Sequence, residues 1–127
     1  MEEKPKILVV DDDAGIRETM ADILALEGYA VTLASSGEEA IEVIQHEHVH
    51  VVLLDIRMPG MNGVEALKII KSVDPSVRVM MITGFEMGDL ASEALAAGAE
   101  AVFRKPLDVA TFLPILLASL DAESTFQ

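Results

Sequence analysis

The sequence predicts a single α/β domain, a five-stranded parallel sheet covered by helices on both faces. Three observations point to it. Short apolar runs alternate with stretches of helical spacing along the whole 127 residues. The runs are continuously apolar rather than apolar at every second residue, as strands buried on both faces are. Strict alternation of strand and helix builds parallel βα units, whose right-handed crossovers gather ligands outside the carboxyl ends of the strands.

The elements follow in order. Ile7-Leu8-Val9-Val10 is an apolar strand that stops at Asp11-Asp12-Asp13. Ile16, Met20, Ile23 and Leu24 then recur at helical spacing, with Gly28 as the stop signal. Tyr29 to Ala34 forms the second strand, and Ser36-Gly37-Glu38-Glu39 opens a helix that turns Ala40, Ile41 and Ile44 inward. The third strand is Val51 to Asp55. Met58-Pro59-Gly60 breaks regular structure after it, and a third helix runs from about Val64 to Ser72. Val77 to Thr83 is the fourth strand, followed by a helix from about Asp89 to Ala97 that Gly98 closes. The fifth strand, Ala101 to Arg104, ends at Lys105-Pro106, and Asp108 can cap a last helix. The expected domain covers residues 1–120, with 121–127 as a tail or the start of a linker.

Composition narrows the function classes. With no cysteine, a disulfide scaffold, Cys-ligated zinc and thiol catalysis are excluded. Acidic residues outnumber basic ones 22 to 9, a formal charge of −13, which repels phosphate backbones and argues against direct nucleic-acid binding. Apolar stretches such as Phe112 to Ala118 fall short of the ~20 residues a bilayer-spanning helix needs. The charged opening MEEKPK carries no secretory pattern, so the expected location is the cytoplasm.

The carboxyl ends of the strands hold the chemistry. They supply Asp11 and Asp12, Asp55, Thr83 and Lys105, which the fold brings to one shallow pocket. Crowded carboxylates raise one another's pKa unless a cation intervenes. Only hard oxygen ligands are present in a partly open site, which suits Mg²⁺ better than zinc or copper. One carboxylate can then attack a phosphoryl group to give an acyl phosphate, with Lys105 neutralising the transferring oxygens and Thr83 donating a hydrogen bond to them.

ILVVDDD, LLDIRMPGMNG, ITG and FRKP, in this order, resemble the receiver domain of two-component response regulators. The resemblance runs from about Lys6 to Leu120 and implies a flavodoxin-like (βα)5 fold with strand order 2-1-3-4-5. It implies that Asp55 accepts a phosphoryl group from a sensor histidine kinase or phosphotransfer protein. The protein would be a switch that catalyses its own phosphorylation and dephosphorylation, not an enzyme acting on other substrates. By the same resemblance Asp12, Asp55 and the backbone carbonyl of Arg57 bind Mg²⁺, with Asp11 helping through water. Thr83 and Lys105 contact the phosphoryl group, and Phe103 matches an aromatic switch position. Gly84 leaves room for Thr83 to move, and Pro106 supports the site in a Lys-Pro peptide.

Other residues read as structure. Asp13 suits a helix N-cap. His46, His48 and His50 stand before the third strand, at the end opposite the acids, and read as solvated loop residues. The methionines read as packing. Val109, Phe112, Leu113, Leu116, Leu117 and Leu120 form the inward face of the last helix. Ala110, Thr111, Pro114, Ile115, Ala118 and Ser119 then make an uncharged outer face. That face, with the fourth helix and fifth strand, is the expected contact with a second copy or an output domain. An aspartyl phosphatase of related fold is the enzyme alternative. Such enzymes carry a second acid two residues after the nucleophile, where Arg57 stands here. A phosphorylation-independent pseudo-receiver would lack one of the key residues, and none is lost.

Overall fold

The computed structural model describes residues 5–84, 88–105 and 109–125. Its elements are β1 (Lys6–Val10), α1 (Ala14–Leu26), β2 (Ala30–Ala34), α2 (Gly37–His46), β3 (Val51–Asp55), α3 (Gly63–Val73), β4 (Arg78–Thr83), α4 (Gly88–Ala96), β5 (Ala101–Arg104) and α5 (Val109–Thr125). All strands are parallel, in the order β2-β1-β3-β4-β5. The expected fold is therefore present. Pro106, Asp108 and Met87 lie outside the described residues.

Alternation along each strand divides the core in two. Ile7 and Val9 of β1, Val51 and Leu53 of β3, and Met80 and Ile82 of β4 pack with Met20 and Leu24 of α1 and with Phe112, Leu116 and Leu120 of α5. Their neighbours Leu8, Val10, Val52, Leu54, Val79 and Met81 pack against α2, α3 and α4 through Ala40, Ile44, Leu67, Ile70 and Ala94. Both faces of the central strands are dry, which is why their sequences are apolar without a break.

The helices start where the sequence supplies caps. Asp13 caps α1, its Oδ1 accepting from Gly15 N at 2.8 Å and Ile16 N at 3.2 Å. Asn62 and Glu65 form a capping box on α3, each side chain accepting from the other's backbone N–H at 3.0 and 3.1 Å. The box holds the start of α3 hard against the end of β3. Gly63 N donates to the Ile56 carbonyl at 2.7 Å, and a Cβ on Gly63 would collide with the Asp55 carbonyl oxygen and lie 2.6 Å from Ile56 Cα. The tight loop before it turns at Gly60, whose φ of +79° suits glycine.

Two readings of the sequence need correction. Ser119 does not belong to the outer face of α5. It is buried, and its Oγ accepts from Arg78 Nη1 at 3.1 Å, a partner from β4 that helical spacing alone does not reveal. His50 is not a solvated loop residue: it is half-buried, and its Nδ1 accepts from Lys6 N at 3.0 Å, extending the edge of the sheet. His46 and His48 are exposed as expected, but His46 is the last residue of α2 rather than part of the loop. Pro114 stands inside α5, which continues past Leu120 to Thr125.

Candidate functional site

Strand register brings the acids together. β1 and β3 pair from Ile7 with Val51 to Val10 with Leu54, so the next residues, Asp11 and Asp55, emerge side by side. Both are buried, at 2% and 1% exposure, whereas Asp12, one residue further, is exposed. One oxygen from each of Asp11, Asp12 and Asp55 falls within 4.8 Å of the others. Lys105 enters from the other side. Its backbone N donates to the Thr83 carbonyl at 2.8 Å, carrying the β4–β5 pairing one step beyond Arg104. Its Nζ then donates to Asp55 Oδ2 at 2.8 Å and lies 3.5 Å from Asp11 Oδ2.

The polar atoms of Asp11 are almost fully engaged. Its N donates to the Ala34 carbonyl at 3.2 Å, its carbonyl accepts from Arg17 Nη1 at 2.6 Å, and its Oδ1 accepts from Asp13 N at 2.9 Å. Oδ2 is buried without a hydrogen-bond partner among the described residues, since Lys105, at 3.5 Å, forms an ion pair but stands too far for a good bond. Burial, together with the charges of Asp55 and Asp12, holds the Asp11 carboxyl above its ordinary pKa against the opposing Asp13 N–H and Lys105. Burial works to lower the Lys105 pKa, but the hydrogen bond to Asp55 and the charges of Asp55 and Asp11 outweigh it and raise it. A buried carboxylate oxygen without a hydrogen bond, beside two further acids, fits a hard divalent cation. Receiver domains bind Mg²⁺ at an acidic pocket of this kind, and the donor set here is compatible with it.

The acids line an open cleft of about 600 Å³ that also takes in Asp13, Ile16, Arg57, Met58, Pro59, Gly84 and Lys105. Arg57 N donates to Asp55 Oδ1 at 3.2 Å. Thr83 is buried at the end of β4, its hydroxyl donating to the Gly84 carbonyl at 3.1 Å. Among the described residues, a Cβ on Gly84 would meet nothing within 4 Å.

Phe103 does not stand where a direct coupling to Thr83 would need it. It pairs in register with Ile82 and packs into the α1–α5 core, its ring edge-on to Phe112 at 5.3 Å and 87°. Thr83 alternates with Ile82 and so faces the α4 side, which it shares with Val102. The sequence places an aromatic near Lys105, but its face depends on the β4–β5 register.

Four contributors are not evident from the sequence. Ile16 and Met58 form apolar walls of the cleft. Arg17 grips the main chain of Asp11, a contact foreshadowed only by a basic residue one turn into the helix that follows the acids. Gly63 abuts the Asp55 carbonyl, a close approach between main chains that residue identity does not reveal.

A doubly wound sheet that gathers three carboxylates and a lysine at its carboxyl edge defines a phosphoacceptor domain of the flavodoxin-like class. The chain belongs to the response regulator receiver domain family, which it matches over residues 7–116. It is 38% identical over 104 residues to sporulation initiation phosphotransferase F of Bacillus subtilis, covering 82% of this chain and 84% of that protein. Identity to the transcriptional regulatory protein ZraR of Klebsiella oxytoca is 42% over 106 residues, 84% of this chain but 24% of that one. The crystal structure of a CheY-like receiver domain protein from Methanospirillum hungatei JF-1 superposes with a TM-score of 0.93. It is 31% identical, and the match covers 98% of this chain and 100% of that chain. Among the described residues, no helix is long and apolar enough to cross a membrane.

Proposed function

We propose that this receiver domain accepts a phosphoryl group on Asp55 from a phosphohistidine of a sensor histidine kinase or phosphotransfer protein, in a Mg²⁺-dependent reaction in the cytoplasm. The supporting observation is the 2.8 Å pair between Lys105 Nζ and Asp55 Oδ2, set beside a buried Asp11 Oδ2 that has no hydrogen-bond partner among the described residues. An Asp55 oxygen forms the bond to phosphorus while the bond from phosphorus to the donor imidazole breaks. The released imidazole nitrogen keeps the electron pair and takes up a proton. Arg57 N–H holds the other Asp55 oxygen in place. Lys105 is already within reach to pass from the carboxylate to the oxygens of the transferred group.

Asp11, Asp12, Asp55 and the Arg57 carbonyl would hold Mg²⁺, which supplies charge neutralisation for the transferring oxygens. Thr83 moves beside the small Gly84 to donate its hydroxyl to the group, and water later removes the group, so the domain returns to rest by its own chemistry. The output is read on the face made by α4, β5 and α5, where Leu95 and Ile115 are 53% and 42% exposed. A second copy or an output domain docks there. The phosphatase alternative lacks its second acid, because the exposed Arg57 occupies that position.

The test is incubation with acetyl phosphate and Mg²⁺, followed by intact-protein mass spectrometry. The wild type gains one phosphoryl group, and neither Asp55→Asn nor chelator-treated wild type does. Normal labelling of the variant would remove Asp55 from its role.

A further inference from the structure

We infer that Arg17 is a positioning residue for the cation site, acting through the main chain of Asp11. The inference rests on the Mg²⁺ reading above. The β1 ladder ends at Val10, and the Asp11 carbonyl takes its hydrogen bond from a guanidinium instead, at 2.6 Å. Such a charge-assisted bond is short and strong, and it fixes direction as well as distance. Arg17 is itself anchored, since its backbone N donates to the Asp13 carbonyl at 3.1 Å in the first turn of α1. One residue thus ties the end of β1 to the start of α1, across the three acids between them.

The consequence is local. With N, carbonyl O and Oδ1 of Asp11 all committed, Oδ2 is the polar atom of that residue that takes no hydrogen bond among the described residues, and it is available to a cation or its bound water. Its direction follows from the main chain that Arg17 holds. Groups that orient a metal ligand without touching the metal commonly govern affinity tenfold or more.

Charge and positioning make opposite predictions here, which makes the idea testable. A guanidinium near a dication repels it, so if charge were its only influence, removing Arg17 would tighten Mg²⁺ binding. If it positions Asp11, removal weakens binding.

The measurement is Mg²⁺ titration by isothermal calorimetry of wild type, Arg17→Gln and Arg17→Lys, with melting curves recorded without metal. Sucrose in every sample keeps a weakened variant folded. Arg17→Gln should raise the Kd about tenfold or more. Arg17→Lys, which keeps a charged donor without the planar fork, should fall between it and the wild type. An unchanged or lower Kd for folded Arg17→Gln overturns the inference and leaves the site reading intact. Absence of binding by the wild type overturns the site reading itself, and this inference with it.

Discussion

Replacing Gly63 by alanine should destabilise the domain, although the same exchange near a helix start ordinarily helps. Alanine gains about 0.4–1 kcal/mol over glycine wherever the backbone geometry permits it, chiefly by restricting the unfolded chain. At Gly63 the new Cβ would lie 2.6 Å from Ile56 Cα, where ordinary contact begins at 3.4 Å, and would collide with the Asp55 carbonyl oxygen as well. Both obstacles are main chain, and both belong to the strand end that carries Asp55, so no side chain can swing aside. Overpacking of this kind costs about 1–3 kcal/mol, which outweighs the gain. For 127 residues, at about 2.1 cal/mol/K of unfolding entropy each, 1 kcal/mol corresponds to about 4 °C in Tm. A net loss of about 1–2 kcal/mol therefore lowers Tm by about 4–8 °C. Gly15→Ala is the control, because its Cβ meets only the Asp13 carboxylate, at 3.2 Å. It should melt within a few degrees of the wild type. Scanning calorimetry of the three proteins decides the matter. If Gly63→Ala melts at or above the wild type, the close approach of α3 to β3 does not constrain the site.

Two further outcomes are expected. Asp74 closes α3, and its Oδ1 accepts from Ser76 Oγ at 2.6 Å and Ser76 N at 3.0 Å, which, chiefly through the hydroxyl, holds its carboxyl below the usual pKa. A depressed carboxylate contributes stability above its unfolded pKa and loses it as pH falls through the folded value. Asp74→Asn should therefore cost about 0.5 kcal/mol in urea melts at neutral pH, a difference that closes in strong acid; a pH-independent difference would assign the effect to something other than charge. Ile115→Glu, placed on the exposed face of α5, should weaken phosphorylation-driven association in sedimentation runs with beryllofluoride while Asp55 still labels normally. Unchanged association would move the contact off this face.

Most of the sheet was legible because burial on both sides leaves an unmistakable mark, the unbroken apolar run. The convergence of Asp11, Asp55 and Lys105 was legible for a related reason: each is the first polar residue, or close to it, after such a run. What could not be read depends on register and on contacts between distant segments. Phe103 sits one residue from Arg104, the partner of Thr83, and one residue of offset sends a side chain through to the other face. Ser119 follows the helical spacing of an outer residue, yet Arg78 from β4 reaches it. The bond from Arg17 ends on a carbonyl, and main-chain acceptors leave no trace in residue identity.

The division of the core by the sheet has a genetic meaning. Phe103, Phe112 and the α1–α5 packing lie on one side, while Val102, Ala94 and the α2–α4 packing lie on the other. Substitutions well separated on opposite sides have different packing partners, so their effects on stability should add, whereas pairs in contact on one side should interfere. A complete map of pairwise epistasis would then separate into two blocks. The strand-end residues around Asp55, touched by both layers, would be the seam that joins them.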